Sequence, residues 1–362
     1  MRKQIFATAL LGSLPLATPS MAVPIPAIDV PAMENAADVI VVGRSNGVAI
    51  SGQLSKNFAI SVDRVLKGSA PNLPSPGSVR IDISTPGFQS VVDRQYGVYF
   101  LRRAAAGGYV PVDPYHLVVA VSPVRGAGQT SDAAQLAGVA NELVQVFVTP
   151  PALLMDPVKG VQGPAVWQES PLGPSAGLQQ IYYGAASALQ SIPFESSGAE
   201  IRAAGASASD SARLWLLDCL LFMQESDAVN ALKLQYLESV KSILLNPPAD
   251  MKSTVFIVAN SLQGHIHAQN AAAAFAELLG STDVDVRRAA ASVLGDIGSA
   301  ATLATLAKIG LEDPDRDVRY YSVLGLAAAT GSSEAPAKDL FDDAAETATL
   351  AYWRGWARAN IH

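Results

Sequence analysis

Residues 43–47 read GRSNG and fit the G-x-S-x-G frame. In that frame the serine is a nucleophile held on a tight strand-to-helix turn. Ser45 would be that nucleophile. The residues after it point elsewhere. Asn46-Gly47 is a strong hairpin signal, because both residues tolerate positive φ, and the chain continues as the alternating run VAIS. A turn between two strands is therefore expected at Asn46-Gly47. An elbow serine also follows several strands, whereas only one β pattern precedes Ser45. None of the four histidines marks a triad base: His116 lies in a strand pattern, His265 and His267 fall in a helical stretch, and His362 is the last residue.

Three other groups could do chemistry. Cys219, the only cysteine, sits in LWLLDCLLF. Apolar neighbours and one acid raise a thiol pKa, the wrong direction for a nucleophile, so a buried structural role is expected. The acidic run EDPDRD at 312–317 would have to follow the calcium-loop pattern. A loop starting at Asp313 puts Val318 where glycine is needed and Leu324 where a bidentate glutamate is needed. His265 and His267 stand two apart with no cysteine or acid beside them, too little for a zinc site. No catalytic, cofactor-binding or metal-binding residues are assigned, and no cofactor is expected.

The beginning of the chain reads as an address. Arg2 and Lys3 precede a mostly apolar run from Ile5 to Leu16, and Ser20-Met21-Ala22 offers small residues at a cleavage position. This pattern predicts a secretory signal at residues 1–22, cleaved near Ala22, for a periplasmic or secreted protein. The run is short for a membrane span of about 20 residues. No cysteine follows it to carry a lipid, and no later stretch predicts a membrane span. The formal net charge of −7 gives no general attraction to nucleic acid, which is not expected as a partner. A lone cysteine leaves no internal disulfide framework, so stability rests on packing. The length predicts two or three domains.

Residues 38–122 carry strand patterns: DVIVVGR, NFAISVDRVLKG, SVRIDIS, YGVYFLRR, GYVPV and HLVVAVSP, separated by turn residues. Tyr96 and Phe100 share a strand parity with Val98 and read as core. Tyr99 points the other way, alone. The run TSDAAQLAGVANELVQVF predicts a helix capped by Ser131 or Asp132, closing a domain at 37–148. Within it, ADVIVVG, FAISVDRVLKG, GVYFLR and GGYVPV resemble the netrin module and the tissue inhibitors of metalloproteinases, which share an OB-like barrel. The resemblance implies an antiparallel β barrel. It does not carry the inhibitors' amino-terminal cysteine or disulfides.

Residues 149–208 predict a proline-rich linker with one helix, AGLQQIYYGAASALQSIP, and FESSGAEIRAAGASASDS reads as a second loop. From 209 to 362 the period becomes that of helices. ARLWLLDCLLFM is apolar nearly all round and must be buried on most sides. In the next helix Val229, Leu232, Tyr236, Val240 and Ile243 form one apolar stripe. STDVDVRRAAASVLGDIG (281–298) aligns with DPDRDVRYYSVLGLAAATG (313–331), with Ser281 and Asp313 expected as caps and Pro314 at the first helical position. Tyr352, Trp353 and Trp356 predict a terminal helix packed as a cap on the last repeat.

The D-V-R core followed by small residues and Leu-Gly resembles HEAT repeats of a short bacterial type, like those of phycocyanobilin-lyase-related proteins. The resemblance implies an α solenoid in which Asp285, Arg287, Asp317 and Arg319 form a structural ladder between repeats. The fold class expected is α+β: a barrel followed by a HEAT-like solenoid. The function expected is that of an exported, non-catalytic binding or scaffolding protein, with another protein or peptide as partner. Two alternatives remain at this level: an enzyme, hydrolase or lyase-like, with a site assembled from distant segments, and an inhibitor of an exported protease acting through the barrel.

Overall fold

The computed structural model describes residues 27–51, 55–68, 85–86, 94–105, 108–113, 116, 118–123, 135–155 and 174–361. The leader at 1–22, the SVRIDIS pattern, the Ser131/Asp132 cap and most of the proline-rich stretch lie outside them.

Alternating Val and Ile residues build an antiparallel sheet of β1 (Val39–Ser51), β2 (Ser55–Lys67), β3 (Thr85–Pro86), β4 (Tyr96–Arg103), β5 (Tyr109–Pro111) and β6 (Val118–Ala120). The order is β3-β2-β1-β4-β5, with β6 also on β4. This is an open sheet. The expected barrel is not closed by the described strands, since β5 and β6 both lie on β4 and neither reaches β2 or β3.

Asn46-Gly47 is not the expected hairpin turn. β1 runs through it to Ser51, and the register against β2 shifts between Asn46 and Ala49. Gly47 does take φ +63°. Positive φ suits a bulge as well as a turn, and a bulge bends a long strand without ending it. The reversal comes later, where Ser51 pairs with Ser55.

Both faces of the sheet are covered. Ile40, Val42, Tyr96, Val98 and Phe100 join a core shared with Val139 and Leu143. On the other face Val39, Val41, Phe58, Ile60, Tyr99 and Leu101 form a second cluster. Tyr99 is therefore not alone. It is buried, and its hydroxyl donates to the Gln95 carbonyl at 2.8 Å.

Helix α1 (Val30–Ala36) precedes the sheet, and α2 (Gln135–Val148) and the short α3 (Pro151–Leu154) follow it. Arg64 of β2 ties the sheet to α2 by a two-pronged pair with the buried Glu142, one arm at 2.8 Å. Then come α4 (Pro174–Gln190), α5 (Phe194–Ser207), α6 (Asp210–Phe222), α7 (Asp227–Leu245), α8 (Lys252–Leu262), α9 (Ala272–Leu278), α10 (Val284–Ile297), α11 (Ala300–Lys308), α12 (Arg316–Thr330) and α13 (Asp343–Asn360). The stretch expected as a second loop is α5. Its stripe is Ser197, Gly198, Ile201 and Ala204, at helical spacing but of small residues, which carry little hydrophobic signal. That helix packs against α2, and α3, α4 and α5 are three described helices within 149–208, where one was expected.

The helices stand in two rows. α4, α6, α8, α10 and α12 pack each on the next, and α5, α7, α9, α11 and α13 do the same behind them. α6 sits between α4 and α8 and against α7, which explains its all-round apolarity. Burying Trp215, Leu217 and Leu220 there contributes about 1.5–3 kcal/mol per side chain. At one end α2 packs on α4 and α5; at the other Trp353 of α13 is fully buried, its indole N–H donating to the Glu334 carbonyl at 2.7 Å.

α10 and α12 meet at Gly295 and Gly325. A methyl added at Gly325 would lie 2.5 Å from the Gly295 Cα, against backbone that cannot swing aside. Alanine favours a helix by about 1 kcal/mol over glycine. The overlap outweighs this, and Gly325→Ala is expected to cost roughly 1–3 kcal/mol. The urea midpoint of the variant measures it; a midpoint equal to or above that of the parent would show that the two helices part freely.

Candidate protein-binding surface

Ser45 lies inside strand β1 and is fully buried. Its Oγ accepts from the Gln95 backbone N–H at 2.9 Å, so it fastens the strand end instead of standing on a strand-to-helix turn. Cys219 is buried in α6, and burial together with the neighbouring Asp218 pushes its thiol well above the ordinary value. His265 and His267 face backbone carbonyls, His265 Nδ1 toward Ser261 at 2.8 Å and His267 Nε2 toward Gly264 at 3.1 Å. His116 pairs with Asp113 at 2.7 Å. Among the described residues no three His, Cys, Asp or Glu side chains gather as a metal site, and no helix is long and apolar enough to cross a membrane.

The acidic residues expected near the repeat helices have structural partners. Asp283 and Asp315 are the N-caps of α10 and α12, two residues after the expected Ser281 and Asp313. Ser281 and Asp313 instead accept the N–H groups of Asp283 and Asp315, at 3.1 and 2.8 Å, and so turn the chain into each helix. Pro314 accordingly stands before the cap. Arg287 reaches forward to the next repeat and holds Asp313 through the Nε–Nη2 edge of its guanidinium, at 2.8 and 3.3 Å. It also donates to the Ser281 carbonyl at 3.1 Å. Arg319 repeats this one unit on: it donates to the Asp313 carbonyl and to Glu346 of α13, both at 2.6 Å.

The four ladder residues thus divide. Arg287 and Arg319 bridge consecutive units. Asp285 and Asp317 do not meet them: Asp285 pairs with Arg288 at 3.1 Å, and Asp317 lies 3.6 Å from Arg288 and 3.4 Å from Lys338. Arg288 also holds Asp315 at 2.9 and 3.0 Å, and this bond draws the Asp315 carboxyl below its ordinary range. The pairing of Asp313 with Arg287, of Arg288 with Asp315 and of Glu346 with Arg319 joins residues 26 to 27 apart in adjacent units, which no local pattern shows.

A second feature lies on the row α4-α6-α8. Gln179 of α4 and Ser253 of α8 exchange hydrogen bonds at 2.8 and 3.2 Å, so the two helices approach across α6. Tyr183 is one turn beyond Gln179, and Phe256 one turn beyond Ser253, on the same helix faces. Both are exposed, at 55% and 46%. Tyr183 sets its edge on Trp215 of α6, ring centres 6.0 Å apart. Trp215, Asp218 and Phe222 follow at i, i+3 and i+7 on one side of α6, and Phe222 is also exposed. Trp215 Nε1 and Asp218 Oδ1 are buried without a partner among the described residues. Burial pushes the Asp218 carboxyl up to about 6, opposed by the neighbouring Ser261 hydroxyl.

A family model describing HEAT repeats matches residues 254–352. The match takes in α8 to α13 apart from the last turns, and it begins upstream of the two aligned repeats. HEAT repeats are commonly protein-interaction or scaffold modules. No curated protein matches the chain.

Two measurements probe this region. Arg287→Met leaves the Asp313 carboxylate, 5% exposed, without its cation, and is expected to cost about 3 kcal/mol or more. Arg288→Met, in a more exposed cluster, is expected to cost about 1 kcal/mol or less. Equal urea midpoints for the two would remove the distinction. Asp218 gives a pH signature. Its folded value of about 6 exceeds the unfolded 3.8, so between them the folded chain holds a proton that the unfolded chain has released. Asp218 thus favours the fold increasingly as pH falls from above 6 toward 4 and penalises it above 6, by roughly 3 kcal/mol at most. Asp218→Asn should therefore gain stability over the parent at pH 8 relative to pH 5; an unchanged difference between the two pH values would show that Asp218 does not carry it.

Proposed function

We propose that this is an exported, non-catalytic scaffold whose helical rows form a HEAT-like solenoid and hold another protein or a peptide on the α4-α6-α8 face. The observation that carries the reading is the HEAT match over 254–352, joined to the exposed aromatic residues of that row. Tyr183, Phe222 and Phe256 are large, stiff side chains of the type that dominates recognition surfaces. Beneath them a buried indole N–H and a buried carboxylate oxygen have no partner among the described residues. The export reading is supported by the positive, apolar and small-residue order of residues 1–22. On this reading the sheet and α2 close one end of the solenoid and α13 closes the other, Arg287 and Arg319 set the spacing of the last units, and Asp285 and Asp317 fix the Arg288 side chain at their seam.

The test is affinity capture after chemical crosslinking from the exported fraction of cells making the full chain with its own leader. Tyr183→Ser with Phe256→Ser is expected to reduce recovered partners well over tenfold, since aromatic anchors of this kind are worth about 2 kcal/mol each or more and each 1.4 kcal/mol is about tenfold in affinity. Undiminished recovery by the double variant would reject this face as the binding surface. Absence of the parent chain from the exported fraction would reject export.

A further inference from the structure

A hollow of about 230 Å³ opens where the turn before α7 meets the loop after α8, and Glu225, Asn230, Lys233, His265, Ile266 and His267 are among its lining residues. Lys233 lies in the second turn of α7, with a side chain only 2% exposed. Its ammonium has three N–H groups. One reaches the His265 carbonyl at a long 3.3 Å. The nearest carboxylate oxygen, on Glu225, is 3.7 Å away, beyond hydrogen-bond length, and the Glu225 side chain is 59% exposed. A buried cation held this loosely is costly unless an anion completes its shell.

We propose that this hollow is a carboxylate-binding site, in which an incoming carboxylate takes the place that Glu225 now fills at a distance. The surroundings favour a negative group. The hollow lies near the positive end of α7, whose N-cap is Ser226. Asn230 supplies an amide. His265 Nδ1 faces the carbonyls of Ser261 and Gln263, at 2.8 and 3.1 Å, and so carries the hydrogen. His267 Nε2 faces the Gly264 carbonyl at 3.1 Å. The two rings border the hollow and report what enters it, while Lys233 and Asn230 supply the donors. The volume suits the acid end of a chain, below the roughly 300–1,000 Å³ of a drug-sized ligand site. Burial lowers the Lys233 pKa, opposed by the neighbouring Glu225 carboxylate.

The site is continuous with the aromatic face. The His265 ring packs on the exposed Phe222, centres 4.6 Å apart. A peptide lying over Tyr183 and Phe222 meets the hollow at the end of α6. The carboxylate is therefore the carboxyl terminus or an acidic side chain of a bound peptide, and this source rests on the scaffold reading given above.

Histidine-ring NMR of the full chain tests the site with four probes: propionate, N-acetyl-alanine with a free carboxyl terminus, N-acetyl-glutamic acid amide, and N-acetyl-glutamine amide as the neutral control. Propionate and at least one of the two acid peptide mimics are expected to shift the His265 and His267 rings saturably, and the neutral amide is not. The tighter of the two mimics identifies the source. Lys233→Met is expected to weaken the acids about tenfold or more, the usual loss for a hydrogen bond to a charged group. Glu225→Gln, which removes the resident competitor, is expected to tighten them several-fold. Shifts by the neutral amide equal to those by the acids, undiminished acid binding by Lys233→Met, or unchanged or weaker binding by Glu225→Gln each overturn the proposal. Glu225→Gln alone decides the matter if the lysine variant fails to fold. The Tyr183→Ser, Phe256→Ser protein keeps the hollow intact, so loss of partner capture with retained carboxylate binding separates failure of one reading from failure of the other.

Discussion

Helix α6 cannot exist by itself. From Leu214 to Leu221 every side chain is buried, including Trp215 and Cys219, and a helix apolar on all sides needs neighbours on all sides. α4, α8 and α7 supply them. Each neighbour is amphipathic and covers one flank, then leaves its own far flank for the next helix. The row therefore propagates until something with a different exterior ends it. At one end that is the sheet with α2. At the other it is α13, whose Trp353 and Trp356 pack edge to face at 5.5 Å. One contiguous body of buried side chains, from Val30 and Ile40 to Trp353, follows from this single requirement.

Two kinds of contact set the spacing once the row exists. Gly295 and Gly325 let the α10 and α12 backbones touch, which brings the charged ends of those helices within reach of each other. Arg287 and Arg319 then span the gap to the next unit, each also holding the carbonyl six residues before it. The pattern has no earlier member, because Val255 stands 32 residues before Arg287. At that junction Ser281 donates to the Leu244 carbonyl at 2.6 Å. The ladder is thus a feature of the last units alone, and apolar packing carries the earlier ones.

The sequence showed most clearly what depends on neighbours along the chain. The strand alternation within the described residues, the apolar stripe of α7 and the D-V-R repeat all describe one element and its own burial, and each falls within an element of the expected kind, though β1 runs past its pattern and SVRIDIS lies outside the described residues. What depends on a second element was hidden. The caps moved by two residues because Ser281 and Asp313 turn the chain before Asp283 and Asp315 cap it. Asn46-Gly47 asked for positive φ, and only pairing with β2 decided between a bulge and a turn. α5 went unread because Ser197, Gly198 and Ala204 look polar or neutral until α2 lies against them. On the α4-α6-α8 row, Trp215 and Phe222 are apolar in the sequence, but nothing in their spacing tells which is covered.

Of the four buried polar side-chain atoms without a partner among the described residues, Gln95 Oε1 and the Tyr109 hydroxyl lie in the sheet region, and Trp215 Nε1 and Asp218 Oδ1 lie in α6, the most thoroughly apolar helix. A core of that kind offers hydrogen-bonding groups nothing, so each is a loss to the folded chain of about 1–3 kcal/mol or more. Local choices in a folded chain ordinarily agree with one another, and disagreement gathers where another requirement acts. In α6 the disagreement lies beneath the exposed aromatic side chains of Tyr183 and Phe222. A helix needing only burial would carry Phe and Leu at positions 215 and 218; tryptophan and aspartate there leave a buried donor and a buried acceptor that apolar packing does not explain.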